Sequence, residues 1–282
     1  MANILKGAEV AEALNAQIAT DVEALKAKGV NPTLAIVRVG ERGDDISYER
    51  GATKRAEKVG VAIKNVLLPG DVAEGDLIKA IEELNKDASV HGVLLFRPLP
   101  KHMDEDKVCN TLDPAKDVDC ITKGSLSGVF AGIDAGYAPC TPSACMEILE
   151  HFKVETKGKN AVVVGRSLVV GKPAAMMLLD RNATVTIAHS RTSDLPKVVS
   201  EADIVIACVG RAQMIDKSYL SSGQVVIDVG INVTEEGALV GDVNFDEASE
   251  VVGAITPVPG GVGTVTTSVL MKHTVASAAK TA

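Results

Sequence analysis

Asn160-Ala-Val-Val-Val-Gly165-Arg-Ser-Leu-Val-Val-Gly171-Lys-Pro173 is the stretch whose reading decides the fold. Ala161 to Val164 is a short, wholly apolar, valine-rich run, the pattern of a strand buried in a parallel sheet. Gly165 ends it, and after Gly171 and Pro173 the run Ala-Ala-Met-Met-Leu-Leu is a good helix former. Strand, glycine-bearing turn and helix start make an anion cradle, in which free backbone N–H groups and the positive helix end face one spot. The spacing is Gly-Arg-Ser-x-x-x-Gly-x-Pro, not the three-glycine dinucleotide fingerprint, so by itself it also fits an ordinary strand-to-helix turn.

The next segment changes the balance. Ala183 to Ala188 reads as a second strand and completes a βαβ unit. In a Rossmann unit an Asp or Glu at the end of this strand would hold the ribose 2′-hydroxyl. Here the chain supplies His189, Ser190, Arg191 and Thr192, with no carboxylate before Asp194. A guanidinium and hydroxyls suit a 2′-phosphate, so NADP is expected rather than NAD. Further strands at Ile204–Val209 and Val225–Val229 each run into a glycine, Gly210 or Gly230. The pattern is α/β and doubly wound, with ligand groups at the carboxyl ends of the strands.

Composition sets bounds on function. The 282 residues are 46% hydrophobic, enough for the core of a globular enzyme of two domains or one large one. Aromatic residues are 2% and tryptophan is absent, which argues against stacking platforms for nucleic-acid bases. A net charge of −8 argues against nucleic acid or an anionic membrane as partner. No apolar run reaches the roughly 20 residues of a membrane span, and the first residues carry no secretory pattern. Cys109, Cys120, Cys140, Cys145 and Cys208 show no metal-ligand spacing. Scattered thiols of this kind fit a reduced, cytoplasmic protein without a bound metal.

Taken in order, the first part also alternates helix and strand. An amphipathic helix is expected over Gly7–Lys28, then strands at Leu34–Val39, Ala62–Leu68 and Val90–Leu95, with helices over 46–59 and Val72–Asn85 between them. Arg97-Pro98-Leu99-Pro100 is a rigid segment that cannot continue a helix. Met103–Leu112 reads as helical, 122–139 as a Gly-, Ser- and Ala-rich crossing between domains, and Ser143–Phe152 as the helix leading into the next domain. Ile255–Gly263 is too dense in glycine and proline for regular structure, and a last helix is expected over about Thr266–Ala279.

Eight of these segments, in this order, carry a resemblance. They are Tyr48 after Val39-Gly40, Pro98-Leu99-Pro100, Lys116-Asp-Val-Asp119, Pro139-Cys-Thr-Pro142, Gly165-Arg-Ser with Gly171-Lys-Pro173, His189-Ser-Arg-Thr192, Asp228-Val-Gly-Ile-Asn232 and Thr256-Pro-Val-Pro-Gly-Gly-Val-Gly263. Over essentially its whole length the chain resembles the methylenetetrahydrofolate dehydrogenase/methenyltetrahydrofolate cyclohydrolase family. The resemblance implies two α/β domains with a cleft between them. They are a folate-binding catalytic domain of residues 1–140, completed by a C-terminal helix over 266–282, and an NADP-binding Rossmann domain of residues 141–265. It also implies a homodimer, a tetrahydrofolate one-carbon substrate, and two reactions. One passes a hydride from 5,10-methylenetetrahydrofolate to NADP; the other hydrolyses the methenyl product to 10-formyltetrahydrofolate. By the same resemblance Tyr48 and Asp119 are catalytic, Tyr48 packing on the folate and Asp119 accepting from the pterin, whose amidine-like edge presents N–H donors. Pro98, Leu99, Pro259, Gly260 and Gly261 are implied around the substrate. Gly165, Arg166, Ser167, Ser190, Ile231 and Thr266 are implied around the cofactor, where the strand-end reading also puts Arg191. Asp117 reads as the cap of a turn, and His189 as structural.

Some positions depart from the family pattern. Where it has a serine three residues before the tyrosine and a lysine four after, this chain has Asp45 and Ala52. The glutamine before Pro-Leu-Pro is Phe96, and the glycine after Lys-Asp-Val-Asp is Cys120. Lys54 lies about 120° round a helix from Tyr48, a poor stand-in for a lysine at Ala52, which lies about 40° round. The expectation is therefore a dehydrogenase whose cyclohydrolase activity is lost or weak. A fully bifunctional enzyme, with Asp45 or Lys54 as replacement base, and a catalytically silent folate- or nucleotide-binding regulator are the alternatives. A dehydrogenase of a shikimate-like acid would leave Tyr48, Asp119 and the Pro-Gly-Gly-Val-Gly loop unexplained.

Overall fold

The computed structural model describes all of residues 1–282. The chain forms two compact units, Ala13–Cys140 with Thr267–Ala282, and Met1–Glu12 with Thr141–Thr266. The first twelve residues therefore fold with the later unit instead of the 1–140 segment. The reason is a short strand: β1 (Asn3–Ile4) pairs in parallel with β11 (Ala254–Ile255), matching Asn3 to Ala254.

In the 13–140 unit, β2 (Thr33–Val39) lies between β3 (Ala62–Leu68) and β4 (Gly92–Leu95) in a parallel sheet. Leu34 to Val37 have no exposed surface, as a central strand covered on both faces requires. The helix Glu74–Lys86 buries Leu77, Ile81 and Leu84, one stripe at helical spacing. The helix Gly43–Val59 buries Asp45, Ala52, Ala56 and Val59 and stops at Gly60, whose φ of 80° is the left-handed cap that glycine adopts without strain. Met103–Leu112 contains one short helix, Glu105–Cys109, capped by Asp104.

The 122–139 segment differs from the expected irregular crossing, because Lys123–Ala131 is a helix. Thr122 caps it by accepting from Ser125 N, and Gly132 ends it at a φ of 65°. A Cβ on Gly128 would run into the Ala135 carbonyl. Small residues that look like linker in the sequence are here a packing requirement.

The 141–266 unit has six parallel strands in the order β1-β11-β8-β7-β5-β6, with β5 (Asn160–Val164), β6 (Thr184–Ala188), β7 (Ile204–Ala207) and β8 (Val225–Asp228). Val162, Val164, Val205, Val226 and Ile255 lie in its buried core. A hairpin of β9 (Asn232–Val233) and β10 (Leu239–Val240) and the helices Leu195–Ser200 and Phe245–Val251 are too short to leave a periodic signal. The last helix starts at Val262, four residues before the expected Thr266. Gly261 packs its Cα against the Pro257 carbonyl, leaving no room for a Cβ, so the chain turns tightly straight into the helix. No helix is long and apolar enough to cross a membrane.

Candidate active site

In the 141–266 unit the sequence-identified residues gather at the carboxyl ends of the strands. β5 ends at Val164, and Gly165 continues at a φ of 142°. A Cβ there would strike the carbonyl and sulfur of Cys208, and one on Gly171 would strike the Gly165 carbonyl. Both glycines are thus required by close packing, Gly165 on Cys208 and Gly171 on Gly165 itself, which folds the turn tightly onto the start of the following helix. Ser167 Oγ accepts from Val170 N at 3.0 Å and Gly171 N at 3.4 Å, fixing the start of the helix Gly171–Asp180. Arg166 and Ser167 are exposed.

Ser190 and Arg191 are exposed on the turn after β6. Thr192 Oγ1 accepts from His189 N at 2.9 Å, and His189 Nδ1 accepts from Arg191 N at 3.1 Å. The His189 ring is therefore occupied in holding the turn that presents Arg191. Ile231, 66% exposed, follows β8. It lines a cavity of about 230 Å³ together with Pro259, Gly260, Gly261 and Gly263. Thr266 Oγ1 donates to Gly263 O at 3.2 Å, so its hydroxyl braces the first turn of the last helix.

Two buried carboxylates that sequence reasoning left without a role hold these loops. Asp242 accepts from Val209, Gly210 and Arg211 N–H at 2.6–3.0 Å and from Asn232 Nδ2 at 3.0 Å. Asp228 accepts from Gly230, Asp242 and Val243 N–H at 2.9–3.0 Å. Burial pushes the Asp228 carboxyl up to about 6, against the pull of those three N–H groups. The one available signal is that Asp228 ends a strand in Asp-Val-Gly-Ile-Asn.

In the 13–140 unit the other set surrounds the start of the helix Gly43–Val59 and the segment after β4. Tyr48 and Phe96 rings meet edge-on at 5.8 Å between centroids, 82° between planes. Arg42 links the same two segments, with its Nη1 donating to Pro98 O at 3.2 Å and its Nε 4.0 Å from the buried Asp45 carboxylate. Glu105 accepts from Leu99 N at 2.8 Å and pairs with Arg97 at 3.8 Å. Ala52 has no exposed surface, while Lys54 is exposed.

Asp117 and Asp119 behave differently. Asp117 is fully buried and accepts from Ile121 N, Thr122 N and Ser125 Oγ at 2.7–2.9 Å, capping the next turn. Asp119 accepts from Cys140 N at 3.3 Å. Burial pushes its carboxyl above the usual range, with hydrogen bonds from Cys140 and the charge of Arg97 opposing. Cys120 holds a φ of 60° where the resemblance has glycine. No group of three or more His, Cys, Asp or Glu side chains is placed to hold a metal ion.

This geometry stands beside three kinds of likeness. Residues 5–119 match the family model described as "Tetrahydrofolate dehydrogenase/cyclohydrolase, catalytic domain", and residues 139–282 match its "NAD(P)-binding domain". The "Bifunctional protein FolD" of Carboxydothermus hydrogenoformans is 52% identical over 277 residues, 98% of this chain and 96% of the relative. A bifunctional FolD structure from Campylobacter jejuni superposes with a TM-score of 0.97 at 34% identity, covering 100% of each chain. That of the Trypanosoma brucei enzyme complexed with NADP and an inhibitor gives 0.92 at 34% identity, covering 99% of this chain and 98% of that one.

Proposed function

The chain belongs to the tetrahydrofolate dehydrogenase/cyclohydrolase family, and on that premise we propose that it oxidises 5,10-methylenetetrahydrofolate with NADP. The product is 5,10-methenyltetrahydrofolate. When bound, NADP accepts the hydride that leaves the one-carbon bridge. The residues at the strand ends fit such a group. The tight Gly165–Gly171 turn leads straight into the N-terminus of the helix Gly171–Asp180, where backbone N–H groups and the positive helix end suit a pyrophosphate. Ser190 and Arg191, exposed with no carboxylate before Asp194, suit a 2′-phosphate. Arg166, Ser167, Ile231 and Thr266 complete the proposed cofactor contacts.

On the folate side, Tyr48 gives a ring face for the substrate, and Asp119 accepts from the pterin N–H groups. Pro98 and Leu99 are the further proposed substrate contacts of the 13–140 unit, and Pro259, Gly260 and Gly261 those of the 141–266 unit. The substrate's own nitrogen lone pair drives hydride departure, so positioning suffices and no protein acid or base is required. Hydrolysis of the methenyl group is different, because a water must be activated and protons moved through a tetrahedral adduct. General acid–base help of that kind is worth roughly 100- to 10,000-fold. Ala52 cannot carry a proton and Phe96 cannot hold a water. That pair of side chains is the observation that supports weak or absent cyclohydrolase activity.

Full bifunctionality is the second reading, favoured by the name of the relative at 52% identity and by Asp45, a buried carboxylate near Tyr48 that could serve as base. Absorbance of reduced cofactor and of the methenyl product, followed with purified protein, NADP and methylenetetrahydrofolate, tests the primary activity. No turnover would leave a silent binding protein. A homodimer is proposed from the family pattern, and sedimentation velocity measures it. The five free cysteines suit the cytoplasm, where we place the protein.

A further inference from the structure

Tyr48, Ala52 and Arg55 share one face of the helix Gly43–Val59. Seven residues of α-helix bring Arg55 to within about 20° of Tyr48, and Ala52 lies about 40° round. Ala52 has no exposed surface yet offers only a methyl group. Arg55, nearly one turn further on, is half-buried, and its Nε donates to Thr267 Oγ1 at 3.3 Å. Helical side chains lean toward the helix N-terminus, so the Arg55 stem runs back toward the level of Ala52, about 4.5 Å along the axis. Thr267 pins one nitrogen of the planar group and so fixes its orientation. Burial lowers the Arg55 pKa from its ordinary value, a sign that the group lies partly out of water.

A reduced pterin offers N–H donors along one edge and a single carbonyl oxygen beside them. Asp119 suits the donors; the carbonyl needs a donor from the protein, and neither Ala52 nor Phe96 has one. Resting on the dehydrogenase reading above, we propose that Arg55 is a specificity-determining residue whose guanidinium, hydrogen-bonded to Thr267 on the helix face it shares with Tyr48, donates to the pterin carbonyl oxygen. A guanidinium keeps its protons at working pH. It therefore binds and orients the ring for hydride transfer while giving hydrolysis no base.

Steady-state kinetics of Arg55→Met, Arg55→Lys and Thr267→Val test this, with KM measured separately for methylenetetrahydrofolate and NADP and the thermal midpoint recorded. Arg55→Met keeps an apolar stem and is expected to raise the folate KM about 10- to 100-fold while the NADP KM stays within about twofold. Arg55→Lys should recover part of the loss, and Thr267→Val should show a smaller rise in the same constant. A folate KM indifferent to Arg55→Met would overturn the proposal, as would an equal rise in both constants that lysine does not relieve. A parent protein without dehydrogenase turnover would instead sink the underlying reading. A parent that turns over, with an unresponsive Arg55→Met, would sink this inference alone.

Discussion

The Phe96 ring meets the Tyr48 ring edge to face, 5.8 Å between centroids and 82° between planes, so the side chain after β4 sets the attitude of the ring proposed to carry the folate. Aromatic pairs of this geometry are worth about 0.5–1.5 kcal/mol beyond the area they bury. Phe96→Ala is therefore expected to raise the methylenetetrahydrofolate KM roughly 2- to 10-fold and to leave the NADP KM unchanged. An unaltered folate KM would separate Tyr48 from substrate binding.

Arg191 stands exposed on a turn tied by His189 and Thr192. Arg191→Ala should erode the preference for NADP over NAD, since losing a charged phosphate contact costs ~2 kcal/mol, roughly 30-fold. The ratio of kcat/KM for the two cofactors measures it. A variant that discriminates as well as the parent would assign the 2′-phosphate to other groups.

Gly165 combines a φ of 142° with a Cα packed against Cys208. Gly165→Ala should destabilise the protein by about 2 kcal/mol or more and remove NADP binding. Urea unfolding and calorimetric titration with NADP read the two effects. Undiminished NADP affinity in a folded variant would take the cradle out of the cofactor site.

Much of this arrangement is visible in the sequence because its signals are local. Ala161–Val164 reads as a buried strand from its own residues, and the glycines at 165 and 171 sit where backbone must pass close to neighbouring atoms. The helix Lys123–Ala131 escapes notice because Gly124 and Gly128 lower its helix propensity, while the gain that offsets this, close packing on Pro114 and Ala135, comes from residues at a distance. The same holds for Asp228 and Asp242. Nothing near Asp242 in the chain foretells that it will gather the N–H groups of Val209, Gly210 and Arg211. Asp45, Ala52 and Phe96 stand out only as departures from a pattern, and it takes the fold to put Phe96 against Tyr48.

Two titrating groups, the buried Asp228 in one unit and the part-buried His273 in the other, should give stability opposite slopes with pH. Burial raises Asp228 to about 6, so between pH ~4 and ~6 the folded carboxyl keeps a proton that the unfolded one has lost, and its contribution falls as pH rises. His273 Nδ1 donates to Val118 O at 3.0 Å, and burial lowers the ring pKa to about 4. Below pH ~6.5 the unfolded ring takes up a proton that the folded one refuses, so its contribution rises with pH. Urea unfolding from pH 4 to 7 should show stability climbing with pH in Asp228→Asn and falling in His273→Gln, relative to a flatter parent. Parallel profiles in the two variants would contradict these assignments.

Decay of the methenyl compound is the most direct test of whether this protein separates hydride transfer from hydrolysis. Purified protein is mixed with 5,10-methenyltetrahydrofolate, and loss of its absorbance is compared with the protein-free rate and with the dehydrogenase rate of the same preparation. The expected result is decay close to the uncatalysed rate beside ready hydride transfer, with the double variant Ala52→Lys, Phe96→Gln gaining hydrolysis. Decay as fast as the dehydrogenase step in the parent protein would contradict it and establish a bifunctional enzyme that uses another base.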